Sequence, residues 1–217
     1  MAVLDTDVLS EIQRVTLEGP GDGGVLWPSE MWTATEVLGY LNQRQNRWLA
    51  ATGLCWTVLE TVITANVRDQ DMPVDWIATV FNAWKTSAGV YDELPKFDAL
   101  GFDYALATWP LSTAATPKGY LEADGDTLTT QVVPTPTDVG AAIERYYVAL
   151  GTELDASGVA FSVPDEFVPC IKYGVLADMF GKVGQAANLE LVQACEQRWE
   201  EGVQLGMLMA TEGWFAL

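Results

Sequence analysis

Apolar residues in this chain recur with two different periods, and the change of period divides it. Leu4, Val8, Ile12 and Val15 recur at helical steps, with Asp5 and Asp7 in the first turn, where a carboxylate favours the helix dipole. This predicts a helix over 4–18. GPGDGG at 19–24 breaks it. Trp27-Pro28-Ser29 opens a second predicted helix over 29–52. Ser29 is its expected cap, and Trp32, Leu38, Leu41 and Trp48 are its apolar positions. NQRQNR at 42–47 covers the other face, and the helix is expected to end near Thr52-Gly53.

From residue 54 the period shortens. LCWTVLETVITANV (54–67) is rich in β-branched and aromatic residues and reads as strand. RDQDMP (68–73) reads as a turn. WIATVFNAWK (76–85) reads as a second strand, with Ile77, Thr79 and Phe81 on one face and Trp76, Ala78 and Val80 on the other. PKFDALGFDYALA (95–107) reads as a short helix with Pro95 in its first turn, and Pro110 and Pro117 bracket a loop. Residues 118–133 read as a hairpin about Asp124-Gly125-Asp126, and 141–150 as a further strand.

The helical period then returns. Phe167, Ile171, Val175 and Met179 form one stripe within a helix over 165–182. Val192, Cys195, Trp199, Val203 and Gly206 form another within 187–210. Two such stripes joined by a short link that holds Gly181 and Gly184 are what antiparallel neighbours require. The expected fold is α+β: a helical bundle from the N- and C-terminal helices, with an antiparallel β region inserted at about 54–160, all in one domain spanning 1–217.

Composition narrows the function. The chain has 217 residues, 49% of them hydrophobic, and a mean hydropathy of +0.12. That is high for a chain with 30 acidic side chains, so apolar surface is expected between subunits as well as within one. With 11 basic side chains the formal net charge is -19. Such a chain repels nucleic acid unless its cations cluster. The one small basic group is Arg44 with Arg47, read as a solvated face or an intersubunit ion pair. Cys55, Cys170 and Cys195 are odd in number and widely spaced, which suggests buried thiols in a reducing compartment rather than a disulfide framework. The N-terminus MAVLDTDVLSEIQ lacks the features of a signal peptide, and no stretch is long and apolar enough for a membrane span.

Candidate chemistry is sparse. Without histidine, Ser-His-Asp and Cys-His constellations are absent. GPGDGG follows a helix and lacks the lysine of a phosphate loop. Asp92, Glu93, Asp98 and Asp103 lie among Tyr91, Phe97 and Tyr104, the residue types a glycoside hydrolase uses, although capping and solvated roles suit them too. EADGD at 122–126 lacks the calcium-loop pattern and reads as turn chemistry. No cofactor or metal is indicated. Nine tryptophans point to cores and interfaces. Trp214, Phe215 and Leu217 make an apolar tip in ATEGWFAL, a candidate partner-binding element.

The segment VPDEFVPCIKYGVLADMFGKVGQAANLELVQACEQRWEEGVQLGMLM resembles the C-terminal helical hairpin of tailed-bacteriophage head-to-tail adaptor proteins. The likeness lies in Pro164-Asp165, the KYGVLADMF helix, a short polar link and the CEQRWEEGV helix. WTATEVLGYLNQRQNRWLAATGL is similar to the helix and first-strand entry of the same family. The resemblance implies a virion structural protein made in the bacterial cytoplasm and placed at the neck. It implies a ring, usually of twelve copies, between portal and a tail or stopper protein, with DNA passing through its lumen unbound. It implies no enzyme activity. Acidic walls would let the DNA slide. Two other readings remain: a carbohydrate- or receptor-binding virion module, and a glycosidase using a pair among the four carboxylates.

Overall fold

The structure is a computed structural model that describes residues 2–16, 31–98, 115–122, 128–182 and 188–211. The chain forms two compact units, one from residues 1–55 and 150–217, the other from residues 56–149.

The first unit is helical: α1 (Asp5–Val15), α2 (Ala34–Thr52), α3 (Val168–Gly181) and α4 (Leu189–Thr211). The described part of α2 begins at Ala34 because Thr33 and Glu36 close a capping box there. The Glu36 N–H donates to Thr33 Oγ1 at 3.2 Å, and the Thr33 N–H donates to the Glu36 carboxylate at 3.5 Å. Ser29, the cap expected from sequence, lies outside the described residues. The helix stops where predicted, at Gly53, whose φ of +60° is the left-handed conformation that glycine adopts freely. Both predicted stripes face inward. Phe167, Ile171, Val175 and Met179 are buried, as are Cys195, Trp199 and Gly206, while Val192 and Val203 of the second stripe are half-buried, and α2 packs against both helices. The Trp48 ring lies 4.8 Å from Phe167. Helix α4 approaches closely because a Cβ at Gly202 would stand 2.3 Å from Cys170 Cβ, and one at Gly206 would stand 2.9 Å from the Trp48 ring.

Within the polar run NQRQNR, Gln43 and Arg47 are exposed, whereas Asn42, Gln45 and Asn46 are tied to distant backbone. Asn42 and Leu154 exchange two hydrogen bonds, at 2.8 and 2.9 Å. Gln45 donates to Thr152 O at 2.9 Å and accepts from Ser162 N–H at 2.9 Å. Asn46 accepts from Gly151 N–H at 2.9 Å. Amides can both donate and accept, so this face of α2 carries the irregular chain 151–162 on its backbone groups. Asp5 anchors the other side of that segment. Fully buried, its carboxylate accepts from the N–H groups of Asp155, Ala156, Gly158 and Val159 at 2.8 to 3.2 Å.

The second unit holds two antiparallel sheets. Strands β1 (Thr57–Val62), β3 (Trp76–Lys85), β4 (Tyr91–Glu93) and β7 (Ala142–Ala149) form one, in the order β1-β7-β3-β4. Strands β2 (Asp69–Asp71), β5 (Gly119–Glu122) and β6 (Thr129–Val133) form the other, in the order β2-β6-β5. Ile63, Trp84, Leu94, Tyr120, Val132, Ala141 and Ile143 cluster between them. The α+β class, with helices from both ends of the chain and strands in the middle, is as the sequence predicts.

Three local expectations change. Strand β2 falls within RDQDMP, read above as a turn, because Asp69–Asp71 pairs with Gln131–Thr129. In β3 the register slips between Trp76 and Ala78 and again between Thr79 and Phe81. Each bulge inserts a residue, so the predicted grouping of Thr79 with Phe81 fails: Thr79 pairs with Tyr147 and Phe81 with Tyr146, adjacent residues on opposite faces. Residues 95–98 are not helical, and Lys96 forms a parallel bridge with Tyr120. The remainder of 95–107 and the Asp124-Gly125-Asp126 turn lie outside the described residues, although the flanking strands β5 and β6 pair as a hairpin would.

Candidate functional site

The apolar tip, Trp214, Phe215 and Leu217, lies outside the described residues. Helix α4 leads toward it, and its last turns expose Leu205, Met207 and Leu208. Helix α4 is also charged in its middle, where Arg198, Glu200 and Glu201 are exposed.

Within the acidic cluster Asp92 and Glu93 do not form a dyad with each other. Asp92 pairs across the sheet with Trp84 and Glu93 with Ala83, so the two adjacent carboxylates point to opposite faces. Asp103 and Tyr104 lie outside the described residues. Among the described residues no group of three or more His, Cys, Asp or Glu side chains is placed to hold a metal ion.

The basic pair separates. Arg47 is exposed, as a solvated group is, whereas Arg44 is buried inside the subunit, which corrects the reading of a solvated or intersubunit group for that residue. Its guanidinium grips Asp178 of α3 through Nε and one terminal nitrogen, both at 2.7 Å. It also grips Glu196 of α4 through both terminal nitrogens, at 3.1 and 3.0 Å. The same group lies 5.0 Å from the centre of the Trp199 ring. Burial works against the charge, and the two carboxylates more than offset it, so the Arg44 pKa is raised. One residue thus ties α2, α3 and α4 together. Lys85, Lys96, Lys172, Lys182 and Arg198 likewise sit in ion pairs, with Glu60, Glu122, Glu11, Glu36 and Glu201. With Arg44, six of the eleven basic side chains are thus paired within the subunit.

The strand unit holds a second buried arginine that sequence reading passed over. Arg145 on β7 reaches across to the other sheet. It donates to Thr130 Oγ1 at 2.7 Å, to Met72 Sδ at 3.1 Å and to Asp71 O at 3.2 Å. Its Nε has no hydrogen-bond partner. Desolvation dominates here and lowers its pKa, against the pull of Tyr120, Glu122 and Asp71. The signal was a lone arginine within the apolar strand AAIERYYVAL.

The same sheet has an exposed aromatic face. Trp56, Phe81 and Tyr146 stack across three adjoining lengths of chain, with Tyr146 5.5 Å from each of the other two rings. Val58, Val62 and Tyr91 are exposed on the same face. Sequence reading treated TVLETV as one more strand. Its signal was that valine and leucine occupy both faces, so whichever face packs inward leaves the other apolar side exposed. No helix among the described residues is long and apolar enough to cross a membrane.

A family model described as SU10 adaptor protein matches residues 4–213. No curated protein matches the chain.

Proposed function

This chain belongs to the SU10 adaptor protein family, and from that premise we propose that copies of it form a ring between portal and tail that extends the DNA channel. The family makes it a structural protein of the phage virion that meets other head and tail components, in agreement with the resemblance drawn from its helical hairpin. The observation that carries the reading is the match over 210 of 217 residues.

In the proposed arrangement the whole chain, 1–217, serves as one adaptor subunit. Copies pack side by side in a heterologous contact that closes by rotation, most simply as a dodecamer. The exposed apolar surface of a chain with mean hydropathy +0.12 supplies the seams. Carboxylates face the lumen, so that DNA passes without binding. Trp214, Phe215 and Leu217 attach the ring to the portal, and the opposite rim meets a tail or stopper protein. Turnover plays no part.

Electron microscopy of purified neck complexes tests this. An annulus of this chain seated on the portal is the expected result, and a monomer scattered elsewhere in the virion overturns it. Deleting residues 212–217 is expected to abolish portal attachment while leaving ring formation intact. Unchanged attachment removes the tip from the proposal.

A further inference from the structure

We infer that the seam between copies is a strand addition, with the β1 edge of one copy pairing antiparallel to the β4 edge of the next. This inference rests on the ring reading above and specifies its contact.

Among the described residues the four-stranded sheet has two unpaired edges, β1 and β4, at opposite ends of the order β1-β7-β3-β4. Natural edges are blunted by charge, proline, bulges or brevity. Strand β1 has none of these protections except Glu60. It runs six residues in unbroken register against β7. Val58, Leu59 and Val62 on it are 46%, 42% and 67% exposed.

The backbone parity of both edges follows from two bonds. Ile63 N–H donates to Ala141 O at 3.1 Å, so the odd residues of β1 turn their polar groups toward β7. The N–H and C=O groups of Val58, Glu60 and Val62 therefore point out of the sheet edge. Leu94 N–H donates to Asn82 O at 3.1 Å, which likewise leaves those of Tyr91 and Glu93 pointing outward from β4. An outward row of this kind is completed by another extended strand.

Topology selects which strand. Each neighbouring pair in the sheet is antiparallel, so β1 and β4 run in opposite directions. A copy rotated about a ring axis keeps its strand sense, so its β4 meets β1 antiparallel, as in every other pair of the sheet. Such a contact uses two different surfaces and can close a ring. Pairing β1 with itself gives only a two-fold dimer.

Charge selects the register. Glu60 opposite the neighbour's Glu93 would set like charges face to face, which destabilises a cross-strand pair. Glu60 opposite the neighbour's Tyr91 avoids this and places Val58 opposite Glu93. The aromatic face then continues from one copy to the next through Tyr91.

Two substitutions block one edge each without touching an internal ladder bond, because the N–H groups they remove point outward. Glu60→Pro blocks β1 and Tyr91→Pro blocks β4. Val58→Glu blocks β1 by setting a carboxylate opposite the neighbour's Glu93 with the backbone unchanged, and covers the case in which a proline variant fails to fold. The readout is mass photometry of the full chain together with electron microscopy of particles assembled in infected cells. Each single variant is expected to lose the ring while keeping the wild-type circular dichroism spectrum. A mixture of the β1-blocked and β4-blocked variants is expected to stop at two copies, since one good edge of each remains. Rings that survive all three substitutions overturn the strand seam and leave the ring reading standing. Dimers of Tyr91→Pro alone, which retains β1, overturn it in favour of self-pairing. A wild-type chain that forms no annulus in solution or in particles overturns both.

Discussion

The helical unit and the strand unit each bury one arginine, and they accommodate it in opposite ways. Arg44 is 4% exposed and answered by two carboxylates and an indole face. Arg145 is 1% exposed and answered by a hydroxyl, a thioether and a backbone carbonyl, with one nitrogen unpartnered. The pKa of the first is raised and that of the second lowered. A buried ion pair is costly to break because removal of one member strands the other, whereas Arg145, whose hydrogen-bond partners are a hydroxyl, a thioether and a carbonyl, strands no hydrogen-bonded carboxylate when an apolar side chain replaces it. The helical unit is therefore held by electrostatics at its centre and the strand unit is not.

The sharpest test is the pair of matched substitutions. Arg44→Met is expected to destabilise the helical unit by about 3 kcal/mol, at the low end for a broken buried pair because Asp178 and Glu196 keep partial contact with water. Hydrogen exchange should show α2, α3 and α4 opening faster while β7 is unchanged. Next in size is Gly202→Ala, whose new methyl meets Cys170; the overpacking costs about 2 kcal/mol. The Cys170 thiol, pushed up to about 12 by burial, is a reporter for this variant. Thiol labelling at neutral pH is expected to be slow in the wild-type chain and faster after the substitution.

Arg145→Met is expected to change stability by less than about 1 kcal/mol, or to raise it. Urea unfolding of the strand unit decides this, and a loss as large as that from Arg44→Met would erase the contrast between the two units. The smallest effect concerns the surface pairs of the helical unit. Lys182 holds the Glu36 carboxyl below its ordinary pKa, and Lys172 does the same for Glu11. A lowered folded pKa adds stability that is present above the unfolded value of about 4.5 and lost as pH falls through the folded value. Each exposed pair contributes about 0.5 kcal/mol, so acid titration at low and at high salt should differ slightly, with the low-salt curve the steeper.

The sequence is informative where one period governs and silent where partners are distant in the chain. The stripes Phe167–Met179 and Cys195–Gly206 were legible because a buried helix face repeats every three or four residues. Strand β7 was legible from its β-branched and aromatic content. The bulges in β3 were not, since an inserted residue leaves the composition unchanged. The amides of NQRQNR looked like a wet surface because their partners are backbone groups more than a hundred residues away. Arg44 was noticed, yet its partners Asp178 and Glu196 are two of many carboxylates in an acidic chain, and nothing local marks them. The edge of β1 follows from register, which no single strand reveals.

Asp5 offers a last consequence. Among the described residues its carboxylate accepts from the amides of Asp155, Ala156, Gly158 and Val159, so α1 has no completed seat until those residues have been made. The unit at 56–149 is contiguous and has its full complement of strands well before α4 emerges. Domains fold as units during synthesis. Translation order therefore completes the strands of the β unit before the two helices that close the helical unit are made.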